Sequence, residues 1–399
     1  MILHLQKPLE RAIKSGHPWI FRDALRPFSA SAGEVATVMD RSGKFLCRGL
    51  IDEGPIGVRV FSIIDIPLDG ALFRERIQNA LRMRATIRPP NTTALRLISG
   101  EGDHLPGVVL DQYGEFGVLV FDGAAVETRK EEISGILREE LGKGTGVTTL
   151  LFRSGRRDGK KVEALWGTLP ESDIGVLENG MKLRVDLVNG QKTGLFLDHR
   201  DSRLRTRALS QNNKLVLNLY GYTGGFSVAA GLGGAAHVTT VDSAPAAIAL
   251  ARKSWDANGL DPARHLGVTA DVPEFMRSSA ARDFDLVIAD PPSFAPKKSA
   301  VPVALKVYRL LHASVFRVMP RGGVYLAASC SSHVRREMFE TTLHEAAQFC
   351  KRSIVITDVW GAGADHPVLK GFPEGDYLKV FKVTVRGATG HLAGYHKAG

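Results

Sequence analysis

Asp290 and Cys330 each stand at the end of a short apolar run and each opens a turn of unusual composition. Asp290 heads Asp290-Pro291-Pro292-Ser293-Phe294 after the run Phe284–Ala289. Two consecutive prolines cannot continue a strand interior and hold the backbone in a stiff, extended turn. The carboxylate and the prolyl carbonyls then face whatever lies above, and they suit the polar edge of a base taken out of its stack. Pro291, Pro292 and Phe294 are the accompanying substrate-binding candidates. Cys330 follows Gly323–Ser329 and leads into Ser331-Ser332-His333. A thiolate there can add to C6 of a pyrimidine, which makes C5 nucleophilic enough to accept a methyl group from a sulfonium. His333 is a candidate to lower the thiol pKa or to contact phosphate. Plainer readings exist for all three: an Asp at a strand end often caps a helix, a Cys there is often inert core, and His333 can cap the next helix. The topology separates the readings, because the ends of adjacent strands in a doubly wound sheet lie side by side and Cys330 then faces Asp290 across one base-sized gap.

A second cluster precedes these two. An apolar run ends in Asn218-Leu219-Tyr220-Gly221-Tyr222-Thr223-Gly224-Gly225-Phe226, and a helical pattern follows. Glycines at such a turn let the backbone approach a ligand at the mouth of an open sheet. Asp242 closes the next strand, about 20 residues further on, where a carboxylate can accept hydrogen bonds from ribose hydroxyls. Asp271 follows the presumed third strand. The glycines do not match G-x-G-x-x-G and nothing resembles a pyrophosphate cradle, so a nucleoside cofactor without phosphates, S-adenosylmethionine (SAM), fits better than a nicotinamide dinucleotide.

The elements that must position these groups form an α/β pattern. After about residue 200, strand-length apolar runs alternate with helical segments: KLVLNLY, HVTTVD before SAPAAIALARKSWDANG, FDLVIAD before a helix near 303–318, and GVYLAAS before a helix after 333. This predicts a parallel, doubly wound Rossmann-like sheet. Upstream, GEVATVMD, FLCRGLID and GPIGVRVFSI make residues 1–68 a small β-rich domain. Residues 69–185 read as an α+β domain with a helix ended by Pro89-Pro90 and another near 126–141. The catalytic domain is expected over 186–388, with 389–399 as a glycine-rich tail.

Composition narrows the function classes. A formal charge of +10 and a pI near 9.5 point to a polyanionic partner. Arg200, Arg203 and Arg207 recur on one helical face and are candidates to track a phosphate backbone. FRSGRRDGKKVE gathers Arg153, Arg156, Arg157, Lys160 and Lys161, and Arg22, Arg26, Lys44 and Arg48 add to the N-terminal module. Three scattered cysteines predict neither disulfides nor a metal site. No uncharged run of membrane length and no signal-peptide core stands in the sequence, so the chain is expected in the cytoplasm, with no membrane partner.

At these residues the chain resembles the large-subunit rRNA cytosine-C5 methyltransferases, which carry an N-terminal PUA domain, a central α+β domain and a class I SAM-dependent domain. The marks are SGHPWIF, RLISGEGDHLPGVVLDQYG, KTGLFLDHRDSR, NLYGYTGGFSVAA, VTTVDSA, DPPSF, SCSSHV, ADHPV and YLKVF, spread over nearly the whole chain. The resemblance implies 5-methylcytidine formation in 23S rRNA with Cys330 as nucleophile and Asp290 contacting the cytosine. It implies SAM held by Asn218, Tyr220, Thr223, Gly224, Asp242, Ser243, Asp271 and Asp290, with Asp198 and Arg200 closing the pocket. The family's frequent second cysteine is replaced by Asp-Pro-Pro-Ser, so the C5 proton leaves to another base, water or Asp290. The DPPSF segment also resembles the motif of exocyclic-amine methyltransferases, which makes N6-adenine methylation the alternative chemistry. A non-catalytic RNA-binding protein is the alternative of another class, and a homodimer is left open.

Overall fold

The computed structural model describes residues 1–154, 161–212, 214–278 and 283–388. They form two compact units. One comprises Met1–Leu177, Asp186–Leu197 and Gly363–Gly375, and the other Glu178–Val185, Asp198–Ala362 and the chain from Asp376 onward. The single boundary expected at 185/186 is therefore replaced by several crossings, each with a local cause. Asp186–Leu197 is tied into the first unit by Arg153, which donates to the carbonyls of Leu187 and Gly190, and by Thr193, which bonds Tyr113 and Asp111. Gly363–Gly375 is tied there through Asp365, which accepts from the Arg96 backbone N–H at 3.0 Å.

The first unit holds two five-stranded sheets. Strands β1 (Ile2–His4), β2 (Trp19–Phe21), β3 (Val35–Met39), β4 (Phe45–Ile51) and β5 (Ile56–Ser62) pair in the order β1-β3-β4-β5-β2, beside helix α1 (Glu10–Lys14). β3 alternates buried and half-buried residues, as a strand with one covered face must. Helix α2 (Gly70–Ile87) starts at Asp69, whose carboxylate accepts from the N–H groups of Ala71 and Leu72, and it stops before Pro89. The second sheet, β6 (Ala94–Ser99), β7 (Val108–Tyr113), β8 (Phe116–Phe121), β9 (Thr149–Ser154) and β10 (Lys161–Trp166), runs in that order and carries α3 (Ala124–Glu127) and α4 (Lys130–Leu141).

The chain passes from the first unit to the second at the end of β11 (Ile174–Glu178), and the second unit continues with β12 (Met181–Val185) and α5 (Arg200–Leu209). Its centre is a seven-stranded sheet. In chain order its elements are β13 (Leu215–Leu219), α6 (Gly225–Leu232), β14 (His237–Asp242), α7 (Pro245–Ala257), β15 (His265–Thr269), α8 (Val272–Arg277), β16 (Leu286–Ala289), α9 (Val301–Val318), β17 (Val324–Ser329), α10 (Arg336–Phe349), β18 (Arg352–Trp360) and β19 (Lys379–Ala388). The spatial order is β15-β14-β13-β16-β17-β19-β18. Contiguous strands from β15 to β17 are parallel, while β19 runs antiparallel to both neighbours. Alternate residues of the central strands feed two cores. Leu217, Leu219, Val287, Ala289, Tyr325 and Ala327 pack with α8, α9 and α10, whereas Val216, Leu286, Ile288, Leu326 and Ala328 pack with Phe226 and Trp255 of α6 and α7. Each fully buried Val, Leu or Ile side chain here contributes about 1.5–3 kcal/mol. Covering both faces forces the chain to present its polar chemistry at the strand ends.

Candidate active site

Four loops leave the carboxyl ends of β13, β14, β16 and β17 at one edge of this sheet, and β13 and β16 flank its topological switch point. The β13 loop is the most contorted. Tyr220 and Tyr222 adopt φ of 58° and 45°, and Gly224 adopts 77°. Bulky residues rarely take positive φ, and such backbone persists only where surrounding contacts hold it. Asp242 at the end of β14 supplies one of those contacts: its Oδ2 accepts from Tyr222 N–H at 2.9 Å and its Oδ1 from Ala244 N–H at 2.9 Å. Gly221 is packed so closely that a Cβ would lie 2.5 Å from Thr240 Cγ2 and 3.0 Å from Asn218 Nδ2. Gly221→Ala is therefore expected to weaken SAM binding by about tenfold or more, by displacing the loop; calorimetric titration checks this, and an unchanged affinity would remove the loop from the cofactor site.

Asn218, at the end of β13, is a cofactor candidate with an open acceptor. It is fully buried, and its Nδ2 donates to Ser227 Oγ at 2.8 Å. Ser227 in turn bonds Thr240 at 2.6 Å, and Thr240 bonds His265 Nε2 at 2.8 Å, which fixes the amide's orientation. Its Oδ1 is buried and accepts no hydrogen bond among the described residues. An acceptor left open in this way is completed by a donor on a ligand, and the amine of an amino-acid moiety suits it. Tyr220 is half-buried, and its hydroxyl is pushed up to about 12, chiefly by burial and then by the Asp271 carboxylate and the neighbouring Tyr308 phenol. Thr223 is buried and Ser243 exposed. Asp271 is exposed and caps α8, accepting from the Glu274 N–H at 3.2 Å.

At the ends of β16 and β17 the two reactive segments are laced together. Cys330 Sγ donates to the carbonyl of Pro291 at 3.9 Å, Ser293 and Ser331 hydroxyls are 3.0 Å apart, and Tyr308 of α9 bonds both Ser329 and Ser331. Pro291 is buried, Pro292 exposed and Phe294 half-buried. Phe294 packs on Tyr308 with ring centroids 4.9 Å apart. Asp290 is 16% exposed and is held by a residue that inspection of the sequence passes over: His199, only 2% exposed, places Nε2 3.1 Å from Asp290 Oδ2. His199 Nδ1 lies 3.3 Å from Ser202 Oγ, which accepts from Trp360 Nε1 at 2.9 Å. Asp198 is buried, and its Oδ2 accepts from the Tyr377 hydroxyl at 2.6 Å. His333 is exposed, and α10 is capped at Arg335, so the helix-capping reading of His333 fails. Burial pushes the Cys47 thiol up to about 12, and burial also raises Cys350, which donates to Ala313.

The expected arginine face is corrected. Arg200 is 2% exposed and Arg203 4%, and the Arg203 guanidinium is clamped by both oxygens of Glu178 at 2.6 Å. Arg207 is half-buried, while the exposed positions of α5 include Leu204 and Arg205, and Arg205 pairs with Asp358. The α5 face that holds Arg200 and Arg203 points inward, because α5 packs on α6. Arg153 is likewise buried, while Arg156, Arg157 and Lys160 and the tail 389–399 lie outside the described residues. Exposed basic side chains do remain at Arg26, Lys44 and Lys161.

Comparison with known proteins bears on this geometry. Residues 144–353 match a family described as S-adenosylmethionine-dependent methyltransferase, and residues 3–63 match a PUA-like domain. A ribosomal RNA large subunit methyltransferase I from Escherichia coli O127:H6 is 33% identical over 392 residues, covering 96% of this chain and 99% of that protein. A solved structure from Streptococcus mutans, classed as a SAM-dependent methyltransferase, is similar with a TM-score of 0.86 at 26% identity, over 96% of this chain and 100% of that one. A second methyltransferase structure, in complex with SAH, has the same score and identity over 96% and 99%. SAM is the cofactor, and the open acceptor of Asn218 and the carboxylate of Asp242 fit its amine and ribose. The chain belongs to the family of S-adenosylmethionine-dependent methyltransferases that includes the ribosomal RNA large subunit methyltransferase I proteins.

Proposed function

We propose that the chain methylates C5 of a cytidine in large-subunit ribosomal RNA, with Cys330 as the nucleophile. The observation that carries this reading is the juxtaposition at the ends of β16 and β17, where a half-exposed thiol beside the Asp290 loop stands 3.9 Å from the Pro291 carbonyl. Cys330 Sγ adds to C6 of a flipped-out cytosine, and the resulting electron-rich C5 takes the methyl group that SAM supplies as a sulfonium. Asp290 hydrogen-bonds the base around N3 and the exocyclic amine, and His199 keeps its carboxylate in that orientation through Oδ2. The C5 proton then passes to water or Asp290 and the sulfur leaves C6 as a thiolate, which restores both the aromatic base and the nucleophile. Asn218, Tyr220, Thr223, Gly224, Asp242, Ser243 and Asp271 are the residues assigned to SAM, with Asp198 and Arg200 at the pocket wall. The PUA-like domain, the net charge of +10 and the exposed lysines and arginines suit an RNA substrate.

The test is product identification. Purified protein is incubated with labelled SAM and protein-free large-subunit rRNA, and the digested RNA is analysed by mass spectrometry. The expected product is 5-methylcytidine; N6-methyladenosine would overturn the reading and assign the chemistry to the Asp-Pro-Pro segment alone.

A further inference from the structure

Lys379 opens β19 directly opposite Ser329, the residue before Cys330. Its side chain is turned into the protein. The residue is 4% exposed, and its Nζ donates to the carbonyls of Ser331 at 2.8 Å and Val334 at 2.6 Å, so it spans both ends of the segment that follows Cys330. Among the described residues no carboxylate lies within ion-pair distance of it. A buried cation solvated by two carbonyl dipoles and no anion is costly unless an anion forms beside it. Of the titratable groups that act on Lys379, Cys330 acts most strongly, ahead of Asp376 and Arg336. Burial brings its own pKa down to about 8, which keeps the ammonium charged through neutral pH.

We propose that Lys379 is the positioning residue of the nucleophile: its buried ammonium pins the Ser331–Val334 segment and stabilises the Cys330 thiolate over the thiol. This rests on the reading of Cys330 as nucleophile. The step is a simple ionisation, in which the S–H bond breaks, the proton passes to solvent, the electron pair stays on sulfur, and Lys379 keeps its three protons. Other groups bear on the same thiol. Tyr308 from α9 stays neutral, its hydroxyl pushed up to about 12 by burial; Asp290 at the end of β16 opposes the thiolate; Arg336 favours it; Asp376 partly neutralises Lys379; and exposed His333 follows in the chain. Above the lysine's pKa the stabilising charge is lost, so the effect belongs to neutral and mildly acidic pH.

The test reads the thiol itself. Iodoacetamide labelling of Cys330, followed by peptide mass spectrometry against pH without RNA or SAM, is compared for wild type, Lys379→Met and Lys379→Arg. The wild-type profile is expected to rise below pH ~7, with about tenfold faster labelling at neutral pH than Lys379→Met, and Lys379→Arg is expected to recover most of it. A wild-type Cys330 that titrates like an ordinary thiol near pH ~8.5 overturns the proposal whatever the variants do. So does a Lys379→Met profile that superimposes on wild type while SAM binding shows the variant folded. Methyl transfer that survives loss of the thiol would sink the nucleophile reading alone, leaving a shifted labelling profile to stand for Lys379.

Discussion

Cys330→Ala is expected to lower methyl transfer by about a thousandfold or more while SAM affinity stays within about twofold. The asymmetry follows from where the groups sit. Tyr220, Thr223, Gly224, Asp242 and Ser243 of the cofactor candidates lie at the ends of β13 and β14 or on the loops after them, and Cys330 lies two strands beyond β13, after β17. Removing the sulfur leaves the cofactor loop unaltered, yet without addition at C6 the C5 carbon of cytosine is too electron-poor to accept a methyl group. Cys330→Ser should be nearly as inactive, since a hydroxyl is scarcely ionised at neutral pH. Cys47→Ala and Cys350→Ala serve as controls, because burial holds both thiols protonated. Single-turnover transfer from labelled SAM gives the rate, and calorimetry gives the affinity. RNA carrying 5-fluorocytidine should trap a covalent adduct on Cys330, since fluorine at C5 blocks the release step. A Cys330→Ala protein that keeps more than about a tenth of the rate would exclude the covalent route, because loss of a true nucleophile costs far more than that.

The parts of this architecture legible in the sequence were those dictated by burial. β13, β16 and β17 are continuous apolar runs bounded by glycine, proline or aspartate, and their order alone puts the Asp290 and Cys330 loops side by side. The short strands β1 and β2 were not legible, because three residues carry too little periodicity to separate a strand from a loop. β18 and β19 also escaped, and with them the antiparallel edge of the sheet: β18 is half-exposed along its length and shows no clean apolar run. Long-range polar partners were the least legible. His199 sits in LDHR some 90 residues before Asp290, and nothing local announces that their side chains meet. Lys379 lies inside the apolar run YLKVF, and a charge in such a run is a usable signal of a buried cation with a specific duty. The arginine face of α5 misled for the opposite reason. Helical periodicity groups Arg200 with Arg203, but it does not say which side of the helix faces the sheet, and charge favours the wrong answer.

That error has a measurable consequence. Arg203→Met is expected to destabilise the fold by about 3–5 kcal/mol and to leave the salt dependence of RNA binding unchanged. Glu178 has no exposed surface, and both its oxygens are satisfied by the Arg203 guanidinium at 2.6 Å. Burial alone would disfavour the arginine's charge, but the attraction and hydrogen bonds of Glu178, together with the charges of Asp198 and Asp290, outweigh it, and the pKa of Arg203 is raised. Removing one partner leaves a buried carboxylate unpaired, which is the expensive half of the exchange. The same side chain also backs the start of α6, where a Cβ on Gly225 would come within 2.8 Å of Arg203 Cδ, so its loss loosens the cofactor loop as well. Glu178→Leu in the Arg203→Met background should recover most of the stability, because a packed apolar pair does not need the charge. Urea denaturation reads the first effect. The second is read from log affinity against log salt, where loss of a phosphate contact would flatten the slope by about one unit. An Arg203→Met protein with an unchanged urea midpoint and a flatter slope would return this residue to the RNA surface. The expected result, a lower midpoint and an unchanged slope, makes Arg203 part of the frame that holds the methyl-transfer site.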